Sequence, residues 1–318
     1  MVKNKNKKVG IMMATYNGEK YIKEQIESII NQTYTNWVLY ISDDNSKDNT
    51  INIIKEYQKR YPQKIKILSH KEKLGGAKKN FSYLFSKVSK CDYYMFSDQD
   101  DVFDKEKIIY LLWHTMKAEE ENECVLTYCD SAVVDQNLNM ISPSLVDFAN
   151  KQLPDKNLLE HLLVENYFPG CAIMLNEALK NKINKIYDGT EMHDWWVTLV
   201  GGLTGKIVYV DKSLHLYRQH ENNTIGAHQN NSFINTIIKR AKKLFNIKKL
   251  FTTWHTYQTI VESQAKELCR LYNDETNSST VKRFIQIMEE KNRVKKLCLL
   301  IKLHYTPKEL IRVLRLVL

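Results

Sequence analysis

Residues Tyr93-Tyr94-Met95-Phe96-Ser97-Asp98-Gln99-Asp100-Asp101 decide how this chain is read. A short apolar run ends in three carboxylates within four residues. Clustered carboxylates repel one another unless a cation lies among them. Open α/β sheets place their ligands at the C-terminal ends of their strands. A strand that runs into such a cluster therefore predicts a divalent-metal site at a sheet edge, where a metal could hold a diphosphate.

The surrounding sequence supports that sheet. Val9–Ala14 reads as a strand ending in Thr15-Tyr16-Asn17-Gly18, followed by a helical pattern of Ile22, Ile26, Ile29 and Ile30. Trp37–Ile41 reads as a strand ending in Ser42-Asp43-Asp44-Asn45-Ser46, with a helix marked by Ile51, Ile54, Tyr57 and Tyr61. Ile65–Leu68 is a further strand, and Leu74-Gly75-Gly76 leads into a helix carrying Phe81, Leu84, Phe85 and Val88. After Tyr93–Phe96 comes a helix through Ile108, Leu111, Leu112 and Met116. This alternation predicts an α/β fold with a Rossmann-like, mixed but mostly parallel sheet flanked by helices. The pattern loosens after Val125: Val125–Val134, Cys171–Leu175 and Lys206–Val210 read as strands, and Asn157–Glu165 as a helix. Beyond Gln229 only helices are expected, at Phe233–Lys249 and Val281–Leu300, with Asn273–Thr280 as a linker. The expected division is a catalytic domain over 1–230 and a helical extension over 231–318.

The chain has 318 residues, 43% of them hydrophobic, which suffices for one large core or a core with an appendage. Its six cysteines form no CxxC pair, a pattern that suits reduced thiols. No apolar run approaches the roughly 18 residues of a membrane span. The expected location is cytoplasmic. Residues 231–318 carry 18 Lys and Arg against 7 Asp and Glu, whereas the remainder carries 29 against 30. A near-neutral body with a basic tail points to a polyanionic partner for the tail. Ile237, Ile238, Ala241, Leu244, Phe245 and Leu250 recur at helical spacing among lysines, the mark of a helix at an anionic membrane surface. The same faces could instead pack on the body or form a homodimer. Nucleic acid ranks last, because the body offers no basic groove.

Neither G-x-G-x-x-G nor G-x-x-x-x-G-K-[ST] occurs, so a phosphate would be held by metal or basic side chains. Thr15-Tyr16-Asn17, Asp43-Asp44-Asn45 and Asp98-Gln99-Asp100-Asp101 would share one edge of a parallel sheet. Asp44 could accept from the imide N–H of a pyrimidine; Asp98 and Asp100 could reach a ribose hydroxyl and a metal. Each cluster could also simply cap the helix that follows. In Glu191-Met192-His193-Asp194-Trp195-Trp196, Asp194 beside apolar rings suits a general base, and Trp195 and Trp196 could stack on sugar. The same pattern fits a helix start with a buried Trp pair. Arg218, beside His220 in Tyr217-Arg218-Gln219-His220, is a natural diphosphate partner. Gly170 would let backbone approach a ligand closely or serve a turn.

These pieces, in this order, resemble the inverting family 2 glycosyltransferases of the GT-A fold. The resemblance covers roughly residues 7–230. ATYNGEKYI, QTYTNWVLYISDDNSKDNT, LGGAKKN, SDQDDVF, FPGCAIML, EMHDWW and YRQHENNTIGA carry it. SDQDDVF, MHDWW and YRQH look most like the rhamnosyltransferase-like branch, which builds bacterial surface polysaccharides. The resemblance implies that Thr15, Tyr16 and Glu19 line the nucleotide pocket and that Asp44 contacts the base. Lys78 of LGGAKKN joins the donor contacts. Asp98-Gln99-Asp100 matches the DxD motif, with Asp100 and Asp98 toward metal and ribose, and His220 matches a histidine that joins the metal. Asp194 aligns with the catalytic base, and Gly170 with a glycine loop near the acceptor.

The implied cofactor is Mn²⁺ or Mg²⁺. The implied donor is a nucleotide-diphosphate sugar of dTDP or UDP type, and the acceptor a glycan or lipid-linked glycan. The enzyme would work at the inner face of the cell membrane. The chain departs from the pattern at His193, where many relatives carry an acid, and at Lys73, where many carry Asn before the Leu-Gly pair. A sugar-nucleotide nucleotidyltransferase and a non-catalytic sugar-nucleotide or glycan binder are the competing readings. The missing Gly-rich basic loop opposes the first; Asp100, Asp194 and His220 oppose the second.

Overall fold

A computed structural model describes residues 6–149, 154, 156–221, 247–303, 313–314 and 316–317. The chain divides into two compact units that interleave along the sequence. The first comprises Met1–Asn150, Phe168–Ile186 and Gly205–His228; the second comprises Lys151–Tyr167, Tyr187–Thr204 and Gln229–Leu318. The units are therefore not divided by a single cut at residue 230: two segments from within 1–230 cluster with the C-terminal helices.

The first unit is built on one nine-stranded sheet. Its strands are β1 (Val9–Thr15), β2 (Trp37–Asp43), β3 (Ile65–Ile67), β4 (Tyr93–Ser97), β5 (Val102–Phe103), β6 (Val125–Val134), β7 (Met140–Ser142), β8 (Ile173–Asn176) and β9 (Lys206–Arg218). The order is β3-β2-β1-β4-β8-β6-β9-β5, with β7 paired to β6. β3, β2, β1 and β4 run parallel, as do β6 and β9; β8 and β5 pair antiparallel to their neighbours. β1 is buried almost throughout, because a parallel strand covered on both faces needs apolar residues on both. Helices α1 (Ile22–Ile30), α2 (Thr50–Arg60), α3 (Ala77–Lys87) and α4 (Lys107–Ala118) connect the strands. Ile22, Ile26 and Ile29 of α1 and Ile108, Leu111 and Leu112 of α4 share a core with Ile11, Met13, Leu39, Ile41 and Met95.

Two features of the sheet position the chemistry. The parallel register sets Thr15 beside Asp43 and Met13 beside Ser97, so three polar strand ends fall on one edge. β9 is longer than the strand expected at Lys206–Val210; it runs on to Arg218 beside β6, through register shifts near Asp130. Its last residues also pair with β5, Val102 opposite Leu216 and Phe103 opposite His215. Because β5 begins directly after Asp101, this pairing brings the β9 end to the carboxylate cluster.

The second unit is helical: α6 (Leu158–Leu162), α8 (His193–Thr204), α9 (Ile247–Leu271), α10 (Ser278–Glu289) and α11 (Arg293–Ile301); α5 (Leu145–Ala149) and α7 (Glu177–Ile183) belong to the first unit. α8 is buried on nearly every face, as an apolar helix must be. Val281, Phe284, Ile287 and Met288 form the buried stripe of α10. The single helix expected over Val281–Leu300 is two, because Glu290 is extended and Asn292 accepts from Lys295 N at 3.0 Å to start another. The helix expected at Phe233–Lys249 lies outside the described residues up to 246. No helix among the described residues is long and apolar enough to cross a membrane.

Candidate active site at the strand ends

The loops after β1 and β2 are stitched together. Asn17 N donates to Ser46 Oγ at 2.8 Å, Lys47 N to Asn17 Oδ1 at 2.8 Å and Gly18 N to Thr50 Oγ1 at 2.7 Å. Glu19, expected at the nucleotide, accepts from Asn49 N at 2.7 Å, at the start of α2. Thr15 is buried and donates to Asp43 Oδ2 at 2.9 Å. Tyr16 is 42% exposed, and the Lys73 ammonium lies 4.2 Å over its ring and 3.1 Å from its hydroxyl. Lys73, a departure from the family pattern, thus supports the tyrosine.

Asp43 and Asp44 have divided their work. Asp43 holds its own turn, accepting from Ser46 N at 2.8 Å, as the capping alternative expects. Asp44 is 1% exposed and accepts from the backbone of the next loop: Leu74 N at 2.5 Å, and Gly75 N and Gly76 N at 3.0 Å each. Three successive amides converge on one carboxylate because Gly75 and Gly76 take φ of +86° and +127°, which side chains resist. Asp44 thereby places the N-terminus of α3, where Lys78 lies half-buried.

Gln99 is a residue that sequence reasoning passed over. It accepts from Tyr16 N at 2.9 Å and donates to Tyr16 O at 3.0 Å, tying the carboxylate loop to the end of β1. A Cβ on Gly18 would lie 2.2 Å from Gln99 Oε1, so any larger residue there would displace the Gln99 amide. The signal in the sequence is its place between the two carboxylates of Asp98-Gln99-Asp100.

The carboxylates differ in surroundings. Asp100 Oδ2 lies 2.8 Å from His220 Nε2, and both side chains are partly open. Asp101 is buried and accepts from Arg218 N at 3.2 Å. Burial, with Asp100 beside it, pushes its carboxyl up to about 7. Around it lie the buried His215, Cys171 and Lys107. Cys171 Sγ is 3.3 Å from His215 Nε2, and Lys107 Nζ donates to Cys171 O at 2.6 Å. Burial drives the His215 imidazole well down and the Cys171 thiol well up, so both are neutral near pH 7.

Asp100 and His220 fit a hard divalent ion. Metal–ligand bonds of about 2.1 Å at right angles set neighbouring ligands about 3 Å apart, close to the Asp100–His220 spacing. Asp98 is half-buried but does not form with them a group of ligand atoms within 4.8 Å; among the described residues that proximity belongs to Asp101, Cys171 and His215.

Two expectations are corrected here. Arg218, expected on a diphosphate, is 2% exposed and held by protein: Nε donates to Asp100 O at 2.7 Å, one terminal nitrogen to Gln136 O at 2.9 Å and the other to Glu24. Trp195 and Trp196, expected to stack on an acceptor, are 2% and 0% exposed in the second unit. Trp195 Nε1 donates to Leu162 O at 2.7 Å, and Trp196 packs 5.2 Å from the Tyr187 ring. The helix-core alternative describes this pair. Asp194, in the first turn of α8, is 7% exposed and accepts from Trp195 N at 2.8 Å. Burial drives the neighbouring His193 down to about 3, so it is neutral at physiological pH. Gly170 begins a buried 3₁₀ turn, Gly170–Ala172.

The model of glycosyl transferase family 2 matches residues 10–181, more than half of the chain. The chain belongs to this family. The family 2 chain is 35% identical over 233 residues to the dTDP-rhamnosyl transferase RfbG of Shigella flexneri, covering 68% of this chain and 74% of that one. It is 25% identical over 193 residues to an Escherichia coli glucosyltransferase, WfgD, that uses UDP-Glc, with 60% and 69% covered. Among solved structures, S. aureus TarS 1–349 with UDP-GlcNAc aligns with a TM-score of 0.60 at 16% identity, over 97% of this chain and 89% of that one. A Pyrobaculum calidifontis mannosyltransferase with GDP-Man and Mn²⁺ aligns with a TM-score of 0.52 at 12% identity, over 96% and 86%. The family 2 protein is thus a glycosyltransferase with the GT-A fold, a curled mixed sheet between helices.

Proposed function

We propose that this family 2 enzyme is a metal-dependent inverting transferase that moves rhamnose from a dTDP-sugar to a hydroxyl of a glycan or lipid-linked glycan in surface-polysaccharide synthesis. The observation that carries the metal-dependent reading is the Asp100–His220 pair at the sheet edge, 2.8 Å apart. The rhamnosyltransferase relative favours the sugar and the nucleotide. Neighbours bound to UDP-GlcNAc and to GDP-Man with Mn²⁺ support a nucleotide-sugar donor and a divalent ion.

Asp100 and His220 would hold Mn²⁺ or Mg²⁺, with Asp98 on the ribose side. Such an ion, when bound, supplies charge stabilisation to the departing diphosphate. Tyr16, Thr15 and Glu19 border the nucleotide, Asp44 fixes the loop beside the base rather than reaching the base itself, and Lys78 lies toward the phosphates. Asp194 takes the proton from the acceptor hydroxyl, which attacks the anomeric carbon opposite the diphosphate in a single inverting displacement. Gly170 leaves room at the acceptor. The basic C-terminal segment brings the enzyme to the anionic cytoplasmic face of the membrane, where a lipid-linked acceptor would lie.

The test is a donor screen of purified protein with Mn²⁺, using dTDP-rhamnose, other dTDP-sugars, UDP-sugars and GDP-sugars and reading nucleoside-diphosphate release. The expected result is release from dTDP-rhamnose that stops with EDTA. Release from UDP-sugars alone would overturn the rhamnose reading; release that survives EDTA would overturn metal dependence. Nucleotide exchange with pyrophosphate would favour the nucleotidyltransferase.

A further inference from the structure

The Asp100–His220 pair is braced from behind by residues to which no role attaches in the reading above. Tyr21, immediately before α1, is 8% exposed. Its ring stacks on the His220 imidazole, with centroids 4.8 Å apart and planes 28° apart. The Arg218 guanidinium carbon lies 4.5 Å from the same ring. Arg218 Nε donates to the Asp100 carbonyl at 2.7 Å, while its backbone N–H donates to Asp101 Oδ1 at 3.2 Å. His220 then returns to the Asp100 carboxylate at 2.8 Å. The path closes: Asp100 backbone, Arg218, Tyr21, His220, Asp100 side chain. Glu24, one turn along α1, pairs with the remaining guanidinium nitrogen and offsets its buried charge.

We propose that Tyr21 and Arg218 are positioning residues that preset the Asp100 carboxylate and the His220 imidazole as a divalent-cation site. The inference rests on the metal reading above and goes beyond it by naming what holds the ligands. The physical need is plain. His220 lies two residues beyond the end of β9, and Asp100 sits in a loop between β4 and β5. Neither has a regular element to fix its rotamer, so their alignment depends on what packs against them. A flat aromatic face locks the imidazole plane, and the forked guanidinium spans acceptors that an ammonium could not span.

The test measures Mn²⁺ binding by electron paramagnetic resonance of the free ion, with dTDP or UDP present, alongside thermal melting and donor kinetics. Tyr21→Leu and Arg218→Lys are expected to weaken Mn²⁺ by about ten- to a hundredfold, the range of outer-shell metal substitutions. Tyr21→Phe keeps the stacking face and should retain wild-type affinity within about twofold. A loss of stability alone does not produce that contrast between Leu and Phe. Should Arg218→Lys fail to fold, Glu24→Gln, at a half-exposed position, replaces it and should move Mn²⁺ affinity in the same direction. Wild-type affinity in Tyr21→Leu overturns the proposal. Asp100→Asn separates the two readings. If it loses Mn²⁺ while Tyr21→Leu does not, only the brace fails; if it too binds normally, the metal site itself falls and the brace with it.

Discussion

Asp44 shows how a single side chain can serve a site without standing open in it. Its carboxylate accepts three loop amides, and Asp44→Ala would remove the acceptor that gathers them, leaving the partly exposed loop to water. The expected cost is about 1–3 kcal/mol, the worth of hydrogen bonds to a charged acceptor, with a donor KM raised about tenfold as the loop relaxes; melting and donor saturation curves check it. At Asp194, replacement by Asn should leave donor binding intact and lower transfer by about two to four orders of magnitude, the worth of a general base. Loss of donor binding with transfer retained in the bound fraction would remove that role. His193 makes a pH prediction. Its folded pKa, about 3, lies below the ordinary value near 6.5 because burial disfavours the cation. A depressed folded value stabilises the fold above the unfolded pKa and loses that stability as pH falls. Between pH 7 and 5 the loss is about 2 kcal/mol, and His193→Phe should flatten that part of the stability curve measured by urea unfolding.

At the scale of elements, the tight turn between β1 and α1 is the informative one. Gly18→Ala would set a methyl group 2.2 Å from Gln99 Oε1, the acceptor for Tyr16 N in an amide whose Nε2 donates to Tyr16 O. The side chain must leave, and the carboxylate loop loses its tie to β1. We expect a destabilisation of about 1–3 kcal/mol and a weaker donor KM, read from melting and kinetics. The strands Val9–Ala14, Trp37–Ile41 and Tyr93–Phe96 were legible because continuous apolar runs ending in polar clusters have few other readings. The extension of β9 to Arg218 was not legible. Its sequence, Lys206 to Arg218, mixes polar and apolar residues, and only pairing with β6 and β5 makes it one strand. The break at Glu290–Asn292 was equally hidden, since Val281–Leu300 has helical periodicity on both sides of it.

For the whole chain, the charge distribution makes the testable statement. The excess of 18 basic over 7 acidic residues in 231–318 predicts sedimentation with anionic liposomes at low salt and release at high salt. Deleting 231–318 is expected to abolish sedimentation; sedimentation of the neutral-lipid control to the same extent would remove the electrostatic reading. What the amino-acid order determined by itself was the alternation of strands and helices, the acidic strand end, and the series of motifs that announces the family. Those signals are local: periodicity and clustered charge survive in one dimension. The tertiary structure decided what each polar residue does. Arg218 looks like a phosphate ligand until β9 carries it behind Asp100, and the Trp pair looks like a sugar platform until α8 is seen to be buried. Burial and hydrogen-bond partners come from residues distant in sequence, so no run of letters contains them. The carboxylate cluster was visible at once; which of its members faces solvent, which has its carboxyl pushed up by burial, and what braces them depended on the folded sheet.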